Sequence, residues 1–223
     1  MQILAGTAIA AKVLIFDMDG TLIDSTLVIE GLWRRWAARH GVNPVEVLAA
    51  SPGRRAIETV RIFAPWGIDA PAEAAALARA AAEETEGLTA VPGAVNLLRS
   101  VQRTVWAVVT SAERTLALRW LRAAGLPTPD VLIAAEDVTA GKPDPEGYLR
   151  AAGHLGVHPS EAVVFEDAPS GLAAGRASGA TVIALATTLH PADLDGYDWI
   201  HDFSGVTFGP EKGGVLTFST ACG

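Results

Sequence analysis

Val13-Leu14-Ile15-Phe16-Asp17-Met18-Asp19-Gly20-Thr21 sets an unbroken apolar run directly before two carboxylates and a glycine. A short run of this kind, rich in β-branched residues and stopped by turn chemistry, reads as a strand buried on both faces. Lys12 interrupts the apolar stretch of residues 1–16 and no positively charged n-region precedes it, so the run is read as a first core strand and not as a targeting segment. Two similar runs, Val105 to Val109 and Ala162 to Phe165, also lead into polar residues and then a helix-like segment. Further strands are expected at Val131 to Ala134 and Thr181 to Leu185, with helices at about 113–124, 145–155 and 169–178. This alternation predicts an α/β fold, a doubly wound parallel sheet with helices on both faces.

The segment 22–91 breaks the alternation and reads as helix through residue 90. Val28, Ile29, Leu32, Trp33, Trp36 and Ala37 form an apolar stripe at helical spacing, with Arg34, Arg35 and Arg39 between them. Pro71 to Glu86 is alanine-rich, with a proline suited to a first helical turn. Residues 22–91 are therefore expected to be a small helical cap inserted after the first strand, lying over the carboxyl ends of a core made of residues 1–21 and 92–223. Val91-Pro92-Gly93 marks the return to the core, with Pro92 and Gly93 as hinge candidates, and Gly213-Gly214 before Val215 to Phe218 suggests a terminal hairpin.

With 223 residues, 50% of them hydrophobic, the chain can bury a large core. Its one cysteine, Cys222, allows no intrachain disulfide and no cysteine-based metal site. No apolar stretch reaches the roughly 18 residues of a membrane helix, so a soluble, cytoplasmic protein is expected, without a membrane partner; it is separately expected to be a monomer. The formal charge of −8, from 17 Lys and Arg against 25 Asp and Glu, without a long basic block, argues against nucleic acid. An acidic chain acting on an anion must concentrate positive charge locally, through a metal ion, a few cations and backbone N–H groups.

Four motifs offer that concentration. Asp17 and Asp19 follow a buried strand, where ligands of an open α/β sheet bind; paired carboxylates suit Mg²⁺, and one of them can instead attack phosphorus. Gly20, with Thr21 after it, lets backbone N–H groups approach a phosphoryl oxygen. Alone, this stretch has an Asx-turn ending the strand as its alternative. Thr110 and Ser111 end Trp106-Ala107-Val108-Val109 and can donate to a phosphate oxygen or cap the next helix. Lys142, in Gly141-Lys142-Pro143-Asp144-Pro145, is either a held cation or a solvated loop lysine. Glu166 and Asp167 follow Ala162-Val163-Val164-Phe165, where enclosed carboxylates need a metal or a partner, so metal binding is favoured over a cap of the helix that follows. Acid pair, hydroxyl, lysine and acid pair, all after strands, together describe a phosphoryl-transfer site.

These motifs, spread over residues 13–171, resemble the haloacid dehalogenase-like hydrolase superfamily. The Asp-x-Asp-Gly-Thr form is similar to that of its phosphatases and phosphomutases. Ile23-Asp24-Ser25, Trp36 to Gly41, Val91 to Ala94, Val108 to Ser111, Gly141 to Pro143 and Phe165 to Pro169 look like its sugar and polyol phosphatases, a group with hexitol phosphatases, glycerol-phosphatases and 2-deoxyglucose-6-phosphate phosphatases. The resemblance implies a Mg²⁺-dependent phosphatase acting on a small phosphomonoester through an aspartyl phosphate. Asp17 would be nucleophile and Asp19 general acid and base, its proton affinity raised by neighbouring carboxylate charge. Mg²⁺ would sit on Asp17, the Asp19 backbone carbonyl, Asp167 and Glu166, directly or through water. Thr110 and Lys142 would hold the phosphoryl group. Where these relatives usually carry His-Gly early in the cap, this chain has Pro52-Gly53, followed by Arg54 and Arg55. Those arginines would reach substrate hydroxyls or a second anion, or form a solvated face of a cap helix; Asp24 would bond the cap or substrate, or cap the next helix. Trp33 and Trp36 are expected in the cap core, and His40 and His190 have no assignment. A sugar phosphomutase and a phosphoacceptor signalling domain are the rival readings.

Overall fold

A computed structural model describes residues 1–209 and 214–219. The chain enters through a short outer strand, β1 (Ala8–Ala10), and passes into β2 (Val13–Phe16), all of whose residues are buried. Side chains alternate across a strand, so Val13 and Ile15 join the core on one face while Leu14 and Phe16 join it on the other. Burial on both faces makes β2 an interior strand. After β3 (Ile23–Asp24), four helices, α1 (Thr26–His40), α2 (Pro44–Ala50), α3 (Ala56–Phe63) and α4 (Ala70–Glu83), lead to β4 (Thr89–Ala90). The core resumes with α5 (Ala94–Ser100), β5 (Trp106–Val109), α6 (Arg114–Ala123), β6 (Val131–Ile133), α7 (Glu146–His154), β7 (Ala162–Glu166), α8 (Pro169–Ser178), β8 (Thr181–Leu185) and β9 (Asp198–Ile200).

The parallel sheet has the order β6-β5-β2-β7-β8-β9. Buried residues of α5 and α6 (Leu97, Leu98, Trp120, Leu121) pack on the Leu14 and Phe16 face, and those of α7 and α8 (Tyr148, Ala151, Ala174) on the Val13 and Ile15 face. The sheet is thus doubly wound, as expected. Each expected core strand is present, β8 with its expected ends. Outside the inserted segment, three strands had no stated place in the sequence reading: β1, β9 and β10 (Val206–Gly209). They are short, and only β10 shows the alternation of a half-buried strand. β1 and β10 flank β11 (Val215–Phe218) in an antiparallel sheet that contributes Phe208, Leu216 and Phe218 to the core. The β10–β11 pairing is the expected terminal hairpin, although Gly213 in its turn, like Cys222, lies outside the described residues.

The inserted segment is not helix throughout. β3 and β4 pair antiparallel at its two ends, because outgoing and returning chains lie side by side and their backbone groups need partners. The α1 stripe buries Val28, Leu32, Trp33, Trp36 and Ala37, with Ile29 only partly buried, and the helix stops at Gly41, whose φ of 66° is the left-handed geometry that closes a helix. α4 ends at Glu83, short of the expected Glu86. One carboxylate joins these two helices: Glu73 accepts from Trp36 Nε1 at 3.0 Å, from Arg39 at 2.8 Å, and lies 3.0 Å from His40 Nε2. Trp120 Nε1 donates to the Ala81 carbonyl at 3.0 Å, fastening α4 to α6. At the return, Gly93 has a φ of 81° and a Cβ there would run into the Phe203 backbone, so close packing requires glycine. Among the described residues no helix is long and apolar enough to cross a membrane.

Candidate active site

Five loops leave the carboxyl ends of β2, β5, β6, β7 and β8. The floor beneath them is aromatic: Phe16 and Phe165, register partners on β2 and β7, stack with ring centres 5.0 Å apart, and Phe203 meets both edge-on. Because Phe16 precedes Asp17 and Phe165 precedes Glu166, this packing fixes the strand ends from which the carboxylates project.

Asp17 is buried, and its backbone N–H donates to the Phe165 carbonyl at 2.9 Å. Asp19 turns toward Ser25, whose Oγ donates to Asp19 Oδ1 at 2.8 Å. Gly20, with a φ of 80°, carries no Cβ because one would collide with Asp167 Oδ2. Thr21 donates its hydroxyl to Asp167 Oδ1 at 3.0 Å. After β5, Thr110 is buried and its Oγ1 accepts the Ala112 N–H at 3.0 Å, a local turn two residues ahead of α6 and not that helix's cap. Ser111 Oγ donates to the Gly53 carbonyl of the inserted segment at 2.8 Å.

Lys142 is buried, not solvated. Its Nζ donates to Asp17 Oδ1 and, at 2.5 Å, to Glu166 Oε1, and lies over the Tyr148 ring. Glu166 is fully buried: Oε1 also accepts the Tyr148 hydroxyl at 2.7 Å, and Oε2 accepts the N–H groups of Asp167 and Ala168. Gly171 on α8 leaves the space that Glu166 fills.

Burial dominates the electrostatics. It raises the Asp17 pKa well above the ordinary carboxylate value, the Glu166 charge adds to this, and Lys142 opposes it. Burial also lifts Asp19 to about 6, against the Ser25 hydrogen bond and Lys142. The direction expected for Asp19 holds, but its cause is desolvation and not a carboxylate neighbour. Asp167 is raised to about 7 by burial and then by Glu166, with Thr188 and Thr21 pulling it back. For Lys142, burial favours the neutral amine, yet Asp17 and Glu166 outweigh it and hold the ammonium charged.

Asp17, Glu166 and Asp167 each bring an oxygen within 4.8 Å of the others. Three carboxylates against the Lys142 ammonium leave an excess of two negative charges when all are ionised, and the donors are hard oxygens. A divalent cation fits that set in charge and in donor chemistry.

The remaining candidates lie at the rim. Asp24 Oδ1 accepts the Thr26 N–H at 3.1 Å, at the start of α1. Arg54 is exposed. Arg55 stands just before α3, bonded to Glu58 through Nε at 2.7 Å, and lines a recess with Thr110, Ser111 and Lys142. Trp33 and Trp36 are buried in the insertion, ring centres 5.5 Å apart, and the His190 ring accepts the Ala192 N–H.

Sequence reading passed over Tyr148, Ser170, Thr187 and Thr188. The last two follow β8 as every other motif follows its strand, so the same positional rule would have found them. Ser170 Oγ donates to the Pro52 carbonyl at 3.2 Å, a contact visible only once the insertion is folded over the core.

Residues 11–179 match the protein family described as haloacid dehalogenase-like hydrolase. The chain belongs to that family. It is 41% identical over 208 residues to hexitol phosphatase A of Escherichia coli, covering 91% of this chain and 96% of that one. It is 44% identical over 191 residues to validoxylamine A 7'-phosphate phosphatase of Streptomyces hygroscopicus subsp. limoneus, covering 82% and 88%. A crystal structure of beta-phosphoglucomutase from Clostridium difficile superimposes with a TM-score of 0.75 over 86% of this chain and 92% of that one; at 19% identity it shows the shared fold. Haloacid dehalogenase-like hydrolases generally use a divalent metal, and the buried acidic cluster of this member accommodates one.

Proposed function

We propose that this hydrolase removes phosphate from a small sugar or polyol phosphate, using Asp17 as nucleophile, Asp19 as general acid and base, and Mg²⁺ as its metal. The observation that carries the reading is the buried ion cluster of Asp17, Lys142, Glu166 and Asp167, with Asp19 beside it and separately hydrogen-bonded. The similar relatives named hexitol phosphatase A and validoxylamine A 7'-phosphate phosphatase support a small phosphomonoester as substrate, the first of them a polyol phosphate.

In this mechanism an Asp17 oxygen attacks phosphorus, the bond to the leaving alkoxide breaks, and the Asp19 proton goes to that oxygen. A near-neutral pKa suits Asp19 to both of its tasks. Asp19 next takes a proton from water, which attacks phosphorus, releases inorganic phosphate and regenerates the Asp17 carboxylate. Lys142 and Thr110 bind the phosphoryl oxygens, and Lys142 offsets repulsion between Asp17 and the incoming anion. Asp17, the Asp19 carbonyl and Asp167 would hold Mg²⁺, with Glu166, whose oxygens already accept from Lys142, Tyr148 and two backbone N–H groups, joining directly or through water. Bound there, Mg²⁺ supplies charge neutralisation of the phosphoryl oxygens. The backbone N–H groups of Gly20 and Thr21, expected to approach the phosphate, instead donate to the Ile23 carbonyl at 2.8 Å and the Met18 carbonyl at 3.3 Å, so these two residues shape the loop beside the phosphate; Ser111, Asp24, Arg54 and Arg55 belong to the rim that meets the rest of the substrate.

Residues 22–91 act as a cap that closes over the core of 1–21 and 92–223 and excludes water. The enzyme works as a cytoplasmic monomer on a free small molecule. A phosphate-release screen over hexose, hexitol, pentose and triose phosphates with Mg²⁺, run beside Asp17→Asn, tests the reading. Turnover by Asp17→Asn equal to wild type sinks the nucleophile assignment, and conversion of glucose 1-phosphate to the 6-phosphate without phosphate release makes the protein a mutase.

A further inference from the structure

We infer that Thr188, on the loop after β8, positions the Asp167 carboxylate and so sets the affinity of the site for its divalent cation; this rests on Asp167 being a metal ligand. Asp167 leaves β7, and the strands flanking β7 are β2 and β8. Each flanking strand sends one threonine hydroxyl to it. Thr21, after β2, donates to Oδ1 at 3.0 Å, and Thr188, after β8, donates to Oδ2. Thr187 donates to the Gly20 carbonyl at 2.5 Å, so the same loop is tied to the first acidic loop as well. Gly20 makes this approach possible: a Cβ there would lie 2.8 Å from Thr188 Oγ1.

An ionised carboxylate offers about four acceptor positions. One on each oxygen of Asp167 is taken by a threonine, which leaves one on each for a cation. The group cannot rotate about Cβ–Cγ without losing a hydrogen bond on one side or the other. Its free lone pairs are therefore aimed before the cation arrives. Thr188 acts through Asp167 and is a positioning residue. Removing a hydrogen-bond partner of a metal ligand typically weakens metal binding by about 10–100-fold.

The test is Mn²⁺ binding, followed by the electron paramagnetic resonance of free Mn²⁺ on the full chain, for wild type, Thr188→Val, Thr188→Ala, Thr188→Ser and Asp167→Asn. Loss of the hydroxyl in Thr188→Val should weaken binding about 10–100-fold. Thr188→Ser, which keeps the hydroxyl, should stay close to wild type. Phosphate release by Thr188→Val should recover at saturating metal with an unchanged KM for substrate. Thr188→Ala carries the same expectation and replaces the valine variant if that one fails to fold. Wild-type Mn²⁺ affinity in the variants lacking the hydroxyl, or equal weakening in Thr188→Ser, overturns the inference. If Asp167→Asn alone weakens binding, only the role of Thr188 falls; if Asp167→Asn binds as wild type does, the metal-ligand reading falls with it.

Discussion

Asp17 and Asp19 stand two residues apart, yet their surroundings separate them. Lys142 is bonded to Asp17, whereas Asp19 has only the Ser25 hydroxyl and burial has lifted it to about 6. In the proposed mechanism phosphoenzyme formation uses the Asp19 proton and should therefore fall as pH rises through about 6, while phosphoenzyme hydrolysis uses the carboxylate and should rise over the same interval. Rapid-quench measurements of the two steps separate these limbs. Ser25 lowers the Asp19 pKa, so Ser25→Ala should move both limbs to higher pH; limbs that stay in place would show that another group titrates. Lys142 also gives a residue-scale prediction. Lys142→Met leaves Asp17 and Glu166 buried without their cation, a change that typically costs about 3–5 kcal/mol, and activity should be lost with it. Adding Glu166→Gln should recover much of the stability and none of the activity. Urea unfolding beside a phosphate-release assay measures both, and parallel recovery of the two would contradict the role given to Lys142.

Among elements, the turn Pro52–Gly53 is one place where the insertion rests on the core, beside the Trp120 contact to Ala81. Ser111 donates to the Gly53 carbonyl and Ser170 to the Pro52 carbonyl. Gly53 has a φ of 74°, and a Cβ there would collide with Ser170 Oγ and lie 3.0 Å from the Ala168 Cβ. Both left-handed backbone and close approach demand glycine. Gly53→Ala should therefore keep this turn from seating and, on the proposed closure of the insertion over the core, raise KM and lower kcat together by about tenfold or more. The melting temperature should change little, because the core of the insertion (Trp36, Val47, Val60, Leu77) is elsewhere. Steady-state kinetics that match wild type would mean the contact is incidental to turnover.

For the whole molecule, the acidic cluster opposes folding until a cation arrives. Burial raises Asp17 and lifts Asp19 to about 6 and Asp167 to about 7, against about 3.9 for Asp in an unfolded chain. Between those limits the folded state binds more protons than the unfolded state, so these groups lower stability as pH rises from about 4 to about 7. A divalent cation favours the ionised carboxylates and reverses the penalty. The rise in melting temperature on adding Mg²⁺ to chelator-treated protein should be larger at pH 8 than at pH 5. Equal increments at both pH values would mean that the cation does not bind these carboxylates. Asp167→Asn should melt higher than wild type without metal at pH 8 and lose most of the increment.

The parallel core and the order of its motifs can be read from residue patterning alone. Buried strands such as β2 and β7 are apolar on both faces, and polar residues at their carboxyl ends can only meet in one place, so Asp17, Asp19, Thr110, Lys142, Glu166 and Asp167 were legible as a set. The helical insertion was legible too, because the spacing of Leu32, Trp33, Trp36 and Ala37 leaves one face to bury. β1, β9 and β10 were not, being short strands whose pairing supplies what their composition lacks. The side-chain contacts were decided only by the tertiary structure. Thr188 meets Asp167 because β8 lies beside β7, Ser111 and Ser170 meet Pro52 and Gly53 because the insertion folds back onto the core, and Asp19 gains its proton affinity from burial. Contact and desolvation depend on what the rest of the chain packs around a residue, and spacing along the chain carries no record of either.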